Sequence, residues 1–231
     1  MPESSSARAL RVSAATIVAG ALLSGPIAVL IVVAVAPQPA WTDVDAFARS
    51  YSPIQALPYL LGYILLGGFV MFAAVCHALG DSSMRLRTTA ALVFTGVYAA
   101  LVFTNYTIQL GYVPRIVAER PSFLGALTMS NPASFAWFLE MFGYAAMGVA
   151  TWLVAPLFGG SRRGTLVRAL LMANVVVSIV GAACTAAFDG WVFSTSGFAS
   201  FAGWNILVIV CFATIAVSRD GALAAESRAH L

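Results

Sequence analysis

Six separate runs of more than about 20 mostly apolar residues, each bounded by charge, proline or glycine, constrain this chain more than any other feature. An α-helix rises 1.5 Å per residue, so about 20 residues cross a hydrocarbon core of roughly 30 Å. The runs are Ser13 to Ala36, Ile54 to Leu79, Arg87 to Val113, Ser134 to Phe158, Thr165 to Phe188 and Phe198 to Ser218. Inside lipid every backbone N–H and C=O must find a partner within the protein, which leaves helices and closed barrels. The runs lack the alternation over about ten residues that marks barrel strands. The expected fold is all-α: a polytopic bundle of six transmembrane helices over 13–218, preceded by a short segment 1–12 and followed by a tail 219–231.

Composition excludes the competing classes. Apolar residues make up 61% of the chain and charged residues 9%, which is too hydrophobic for a soluble globule or a disordered segment. A net charge of +3 gives no nucleic-acid-binding surface, and three cysteines make no disulfide scaffold. The first run, preceded by Arg8 and Arg11, resembles a signal peptide. It exceeds the usual apolar region of about 7–15 residues, and Pro37 follows the small-residue stretch, so a retained helix is expected. Pro26 should kink that helix, with Gly20 and Ser24 allowing a close neighbour.

All cations are arginines, and their distribution predicts orientation. With the amino terminus inside, cytoplasmic segments hold Arg8, Arg11, Arg85, Arg87, Arg162, Arg163, Arg168, Arg219 and Arg228, against Arg49, Arg115 and Arg120 outside. The positive-inside rule then places both termini in the cytoplasm. An Ala- and Val-rich chain without lysine suits a GC-rich bacterial genome, hence a bacterial plasma membrane.

The loops are short except at Pro37 to Pro53 and Pro114 to Ala133, so any activity is expected within the bundle. Ser122 to Leu127 is too short to span and is expected to lie on or fold over the outer surface. Asn131-Pro132 reads as an N-cap followed by proline at the first helical position. An offset of 81 residues aligns Gly62, Tyr63, Gly67 and Ala74 with Gly143, Tyr144, Gly148 and Ala155, which raises a duplicated hairpin against independent use of small packing residues.

Ionisable groups inside spans are costly and point to function by default. Glu140 is foremost, about 9 Å below the outer start of the fourth span. Asn105 and Gln109, four apart on the third span, reach a similar depth, as does Asn205 on the sixth. Tyr63 and Tyr144 border the group, and Asp189 lies near the same mouth. Together they predict an outward-facing polar pocket for a small solute or lipid; its carboxyl could be ionised and paired or neutral and donating to an amide oxygen of Asn105 or Gln109, and with only Arg115 and Arg120 nearby as cations Glu140 is expected neutral or partly protonated when the pocket is dry. The competing reading makes these residues interhelical glue in a structural or regulatory subunit. Asn174 reads as glue, and His77 as a partner of its helix C-terminus.

An intramembrane enzyme using Glu140 as general acid or base is a third reading, with a tyrosine or Asp189 as its second group. No catalytic residue, metal site or cofactor is assigned: the two histidines, His77 and His230, make no ligand cluster, and Cys76, Cys184 and Cys211 have no paired spacing. No nucleophile elbow or phosphate loop is present. Asn105 to Leu110 and Asn131 to Tyr144 resemble segments of uncharacterised bacterial six-span integral membrane proteins, a family of the domain-of-unknown-function kind. That resemblance implies a six-helix pattern and no activity, substrate or cofactor; it favours Glu140 and Gln109 as positions to test. The partners expected are the bilayer and a small solute or lipid, with no nucleic acid and no oligomeric state indicated.

Overall fold

The computed structural model describes residues 5–218. The tail 219–231, with Arg219, Arg228 and His230, lies outside the described residues, as do residues 1–4. The six apolar runs form six helices long and apolar enough to cross a membrane, so the chain is a multi-pass helical membrane protein.

We number the helices α1 (Ser5–Val35), a short α2 (Val44–Ser50), α3 (Pro53–Leu79), α4 (Arg85–Ile116), a single turn α5 (Leu124–Leu127), α6 (Phe135–Leu157), α7 (Arg162–Ala187) and α8 (Thr195–Ala216). The first helix begins eight residues before the apolar run, and the fourth runs three residues past it, because polar ends extend helices beyond their apolar centres. The sixth starts at Thr195, three residues before Phe198, because Ser194 caps it, its side chain accepting from the Gly197 N–H.

Each long helix packs against the next one in the chain, and α8 returns to α1, so the six close into a ring. Short connections force antiparallel neighbours, and burial of side chains from opposite walls fills the middle. Phe69, Phe72, Tyr98, Met147 and Phe212 are fully or almost fully buried there. Their rings meet edge-on, Phe69 on Tyr98 and on Phe212, and Phe72 on Phe212 at 4.9 Å between centroids.

Close approach is set by small residues. A Cβ on Gly20 would enter the backbone of Leu65, and one on Gly68 would lie 2.9 Å from the Ile17 nitrogen, so α1 and α3 touch backbone to backbone. Pro26 does break α1. Leu23–Ile27 is a π-turn in which Gly25 leaves helical geometry at ψ −107°.

The two long loops, 37–53 and 114–133, pack together as a cap. Phe47 of α2, Val113 and Val117 at the end of α4, and Leu124 of α5 form a second small core, with Trp41, Tyr51 and Ile116 against it. Ser122 to Leu127 therefore folds over the bundle, with Leu124 and Gly125 buried. Asn131 and Pro132 do not start α6. Asn131 Oδ1 accepts from the Ala133 N–H and its Nδ2 donates to the Gly125 carbonyl, a turn that braces the cap, and α6 begins at Phe135 after Ser134. At the other end of the bundle, Arg85 donates to His77 Nε2, and His77 Nδ1 lies 3.1 Å from Thr88 Oγ1, so His77 joins α3 to α4 besides ending its helix.

Candidate functional site

Glu140 sits on the first turns of α6, on the face turned to α4. The two helices approach closely there: a Cβ on Gly143 would lie 2.7 Å from Val102 Cγ2. Across that contact Asn105 Nδ2 donates to Glu140 Oε2 at 2.9 Å, and the Tyr106 hydroxyl donates to Oε1 at 3.0 Å. Tyr106 and Tyr144 hydroxyls lie 3.3 Å apart. Glu140 is 8% exposed, Gln109 4% and Asn105 fully buried.

The orientation of this network is dictated by backbone groups of the cap. A π-turn, Ile108–Tyr112, interrupts α4 and carries Gln109 beneath the loop. There Gln109 Oε1 accepts from the Met129 N–H at 3.3 Å, while its Nε2 donates to the Leu127 carbonyl at 2.7 Å. A backbone N–H only donates and a carbonyl only accepts, so the Gln109 amide has one allowed orientation. Its second N–H goes to Asn105 Oδ1 at 3.2 Å, which turns the Asn105 amino group toward Glu140 and Met129 Sδ. Asn105 thus presents donors to Glu140. The expectation that Glu140 would donate to an oxygen of Asn105 or Gln109 is corrected, because Asn105 turns its amino group to Glu140 and the Gln109 oxygen faces the Met129 N–H.

Trp137 holds the same loop from the other side, donating from Nε1 to the Met129 carbonyl at 2.9 Å. Leu127 and Met129 are therefore pinned between α4 and α6, directly over the carboxyl. Gln38 hydrogen-bonds Ser130, and Trp41 packs against Gly125, so the first of the two long loops closes over the second.

Of the residues expected at the pocket, Glu140, Asn105 and Gln109 come together, and Tyr144 joins them through Tyr106. Tyr63 borders the group: its ring stands edge-on to Tyr106 at 5.7 Å, while its hydroxyl pairs with Thr107 on an exposed face. Asn205 is elsewhere. Matching depth does not give matching direction, since α8 packs on α1 and α7, and Asn205 faces Gly25 in the π-turn of α1 while donating to the Phe201 carbonyl of its own helix. Its neighbour Trp204, about 100° around the helix, stacks edge-on against Tyr144. Asp189 is exposed after the end of α7. Arg120 pairs with Asp45 at 3.4 Å across the two long loops, and the hydrogen-bond partners of Glu140, Asn105 and Tyr106, are neutral.

The sequence reading missed Tyr106, Tyr98, Met129 and Trp137. A signal existed for the first two: Tyr98, Val102, Asn105, Tyr106 and Gln109 recur at helical spacing along one face of α4. Deeper in the bundle Asn174 is glue, receiving the Trp204 indole N–H at 3.0 Å and donating to Thr151 Oγ1 at 2.9 Å. Across the 81-residue offset Gly62 and Gly143 both pack on α4, against Tyr106 and Val102, whereas Gly148 packs on Val175 and Ser178 while Gly67 meets nothing within 4 Å. Among the described residues no three His, Cys, Asp or Glu side chains gather as a metal site. Comparison with family models, with curated proteins and with solved structures finds no match.

Proposed function

We propose that this is a bacterial plasma-membrane protein, with both termini in the cytoplasm, that binds or moves a small solute or lipid at the Glu140 site beneath its outer cap. It is proposed as a member of the uncharacterised six-span proteins it resembles. The observation that carries the reading is Glu140 itself: an ionisable side chain within a span, held by neutral donors alone and roofed by a loop that rests on hydrogen bonds. Such a group is expensive in a membrane, and burial beneath a separable segment is what a gated site requires. Tyr144, Tyr106 and Tyr63 would line the approach, and the loop over Leu127 and Met129 would lift to admit the ligand.

The test is thermal unfolding of the purified full chain against panels of small solutes and lipids, beside Glu140→Gln. A ligand at a hundredfold excess over its Kd adds about 2.7 kcal/mol of stability. Stabilisation by one chemical class, lost in a folded Glu140→Gln protein, supports the reading. Stabilisation that is identical in both proteins removes Glu140 from the site.

One observation favours a second reading, in which the network only ties helices together within a structural or regulatory subunit. Every polar atom of the Asn105 and Gln109 amides already has a partner inside the chain. That reading expects no ligand in either panel.

A further inference from the structure

The two oxygens of Glu140 are not equivalent. Oε2 faces an N–H of Asn105 that the cap backbone locks in place through Gln109, so it accepts whatever the state of the carboxyl. Oε1 faces the Tyr106 hydroxyl, which can donate or accept. Behind Tyr106 stands the Tyr144 hydroxyl, and the Tyr98 ring lies 5.5 Å from that of Tyr144, its own hydroxyl buried with no hydrogen-bond partner.

This arrangement satisfies the carboxyl in two states. When Glu140 is ionised, Tyr106 donates to Oε1 and Tyr144 donates to Tyr106. When Oε1 carries a proton, the carboxyl donates to Tyr106 and Tyr106 turns its O–H to the Tyr144 oxygen. Only hydroxyl rotations separate the two, and neither leaves the carboxyl unpaired. Buried carboxyls left without partners are costly, so a site that keeps its carboxyl paired in both protonation states has a use for both. A carboxyl that merely joined two helices would need one.

We infer that Glu140 is a reversible proton-binding site whose loading is accommodated by reversal of the Tyr106–Tyr144 hydrogen bonds. One proton from bulk water forms an O–H bond at Oε1; no other covalent bond changes and no electron moves. The titratable groups around it are Tyr144 on its own helix, Tyr98 and Tyr106 on α4, and Tyr59 and Tyr63 on α3, the Tyr59 ring 5.7 Å from that of Tyr106. The loop segment above it contributes Leu127 and Met129, which do not titrate. The inference rests on the binding reading for its purpose, as the ion exchanged against a solute, and not for its test.

The test is infrared difference spectroscopy of the full chain in lipid through a pH step, without added solute. A protonated-carboxyl C=O band that appears reversibly on acidification, shifts on glutamate-specific isotope labelling and is lost in Glu140→Gln is expected. Tyr106→Phe should move its frequency, since the O–H then loses its acceptor. Glu119, exposed in its loop, gives a solvated band separated by position, and Glu3 and Glu226 lie outside the spans. Labelling assigns the band even where Glu140→Gln fails to fold. A glutamate spectrum with no titrating band beyond those of Glu3, Glu119 and Glu226 overturns the inference. A titrating band with no ligand found leaves the proton site standing and removes the binding reading; a ligand found with a silent carboxyl does the reverse.

Discussion

Gln109 and Met129 are joined across the lip of the bundle: the Met129 backbone N–H donates to Gln109 Oε1 at 3.3 Å, while the same amide returns an N–H to Leu127 two residues earlier. One side chain of α4 thereby sets both the position of the cap and the direction of the hydrogen bonds that reach Glu140.

Gln109→Glu tests that relationship, since it keeps the shape and the acceptor for Met129 but deletes both donors as a carboxylate. The Leu127 carbonyl and Asn105 Oδ1 lose their partner, at about 1–3 kcal/mol for each group left buried. The expected outcome is a lower unfolding temperature and faster amide hydrogen exchange at residues 127–129. Unchanged exchange there would show that the loop is held by its apolar contacts alone.

Gly67 and Gly68 are adjacent on α3 and make opposite predictions. A Cβ at 68 meets the Ile17 backbone nitrogen at 2.9 Å, whereas one at 67 meets nothing within 4 Å. Gly68→Ala should push α1 from α3 and cost about 1–3 kcal/mol, as overpacking does. Gly67→Ala should be neutral or slightly stabilising through helix propensity. Thermal unfolding of the two proteins in the same detergent decides, and equal effects would contradict the backbone contact between α1 and α3.

Asp43 caps α2, its carboxylate accepting from the Ala46 N–H at 2.7 Å, and that bond holds its pKa below the ordinary carboxylate value. The folded value lies below the unfolded one, so the contribution of the cap is complete above the unfolded pKa, about 3.9, and is lost as pH falls through the folded value. Protection of the Ala46 amide should therefore fall on acidification, and Asp43→Ala should abolish that dependence. An Ala46 amide whose exchange, corrected for its intrinsic pH dependence, ignores Asp43 would refute the cap.

Much of the architecture was legible because hydrophobic length is a property of the chain alone. The six runs, the break at Pro26 and the polar candidates Glu140, Asn105 and Gln109 could all be read from residue type and spacing. Asn205 was misread for a definite reason: depth along a helix follows from counting residues, but the direction a side chain faces relative to other helices does not. The ring order puts α8 beside α1 and α7, and Asn205 turns to Gly25. Asn131-Pro132 failed similarly, because the Asn131 side chain was claimed by Ala133 and Gly125 in a turn, and Ser134 took the start of α6.

By itself the sequence determined that this chain must form six apolar helices, since no other backbone structure satisfies runs of that length in lipid. The tertiary structure alone decided the polarity of the site. Gln109 and Asn105 each carry an amide that could face either way, and only contact with the Leu127 carbonyl and the Met129 N–H selects one orientation. That selection, passed through two amides, turns donors toward Oε2 of Glu140 and leaves Oε1 to the tyrosines.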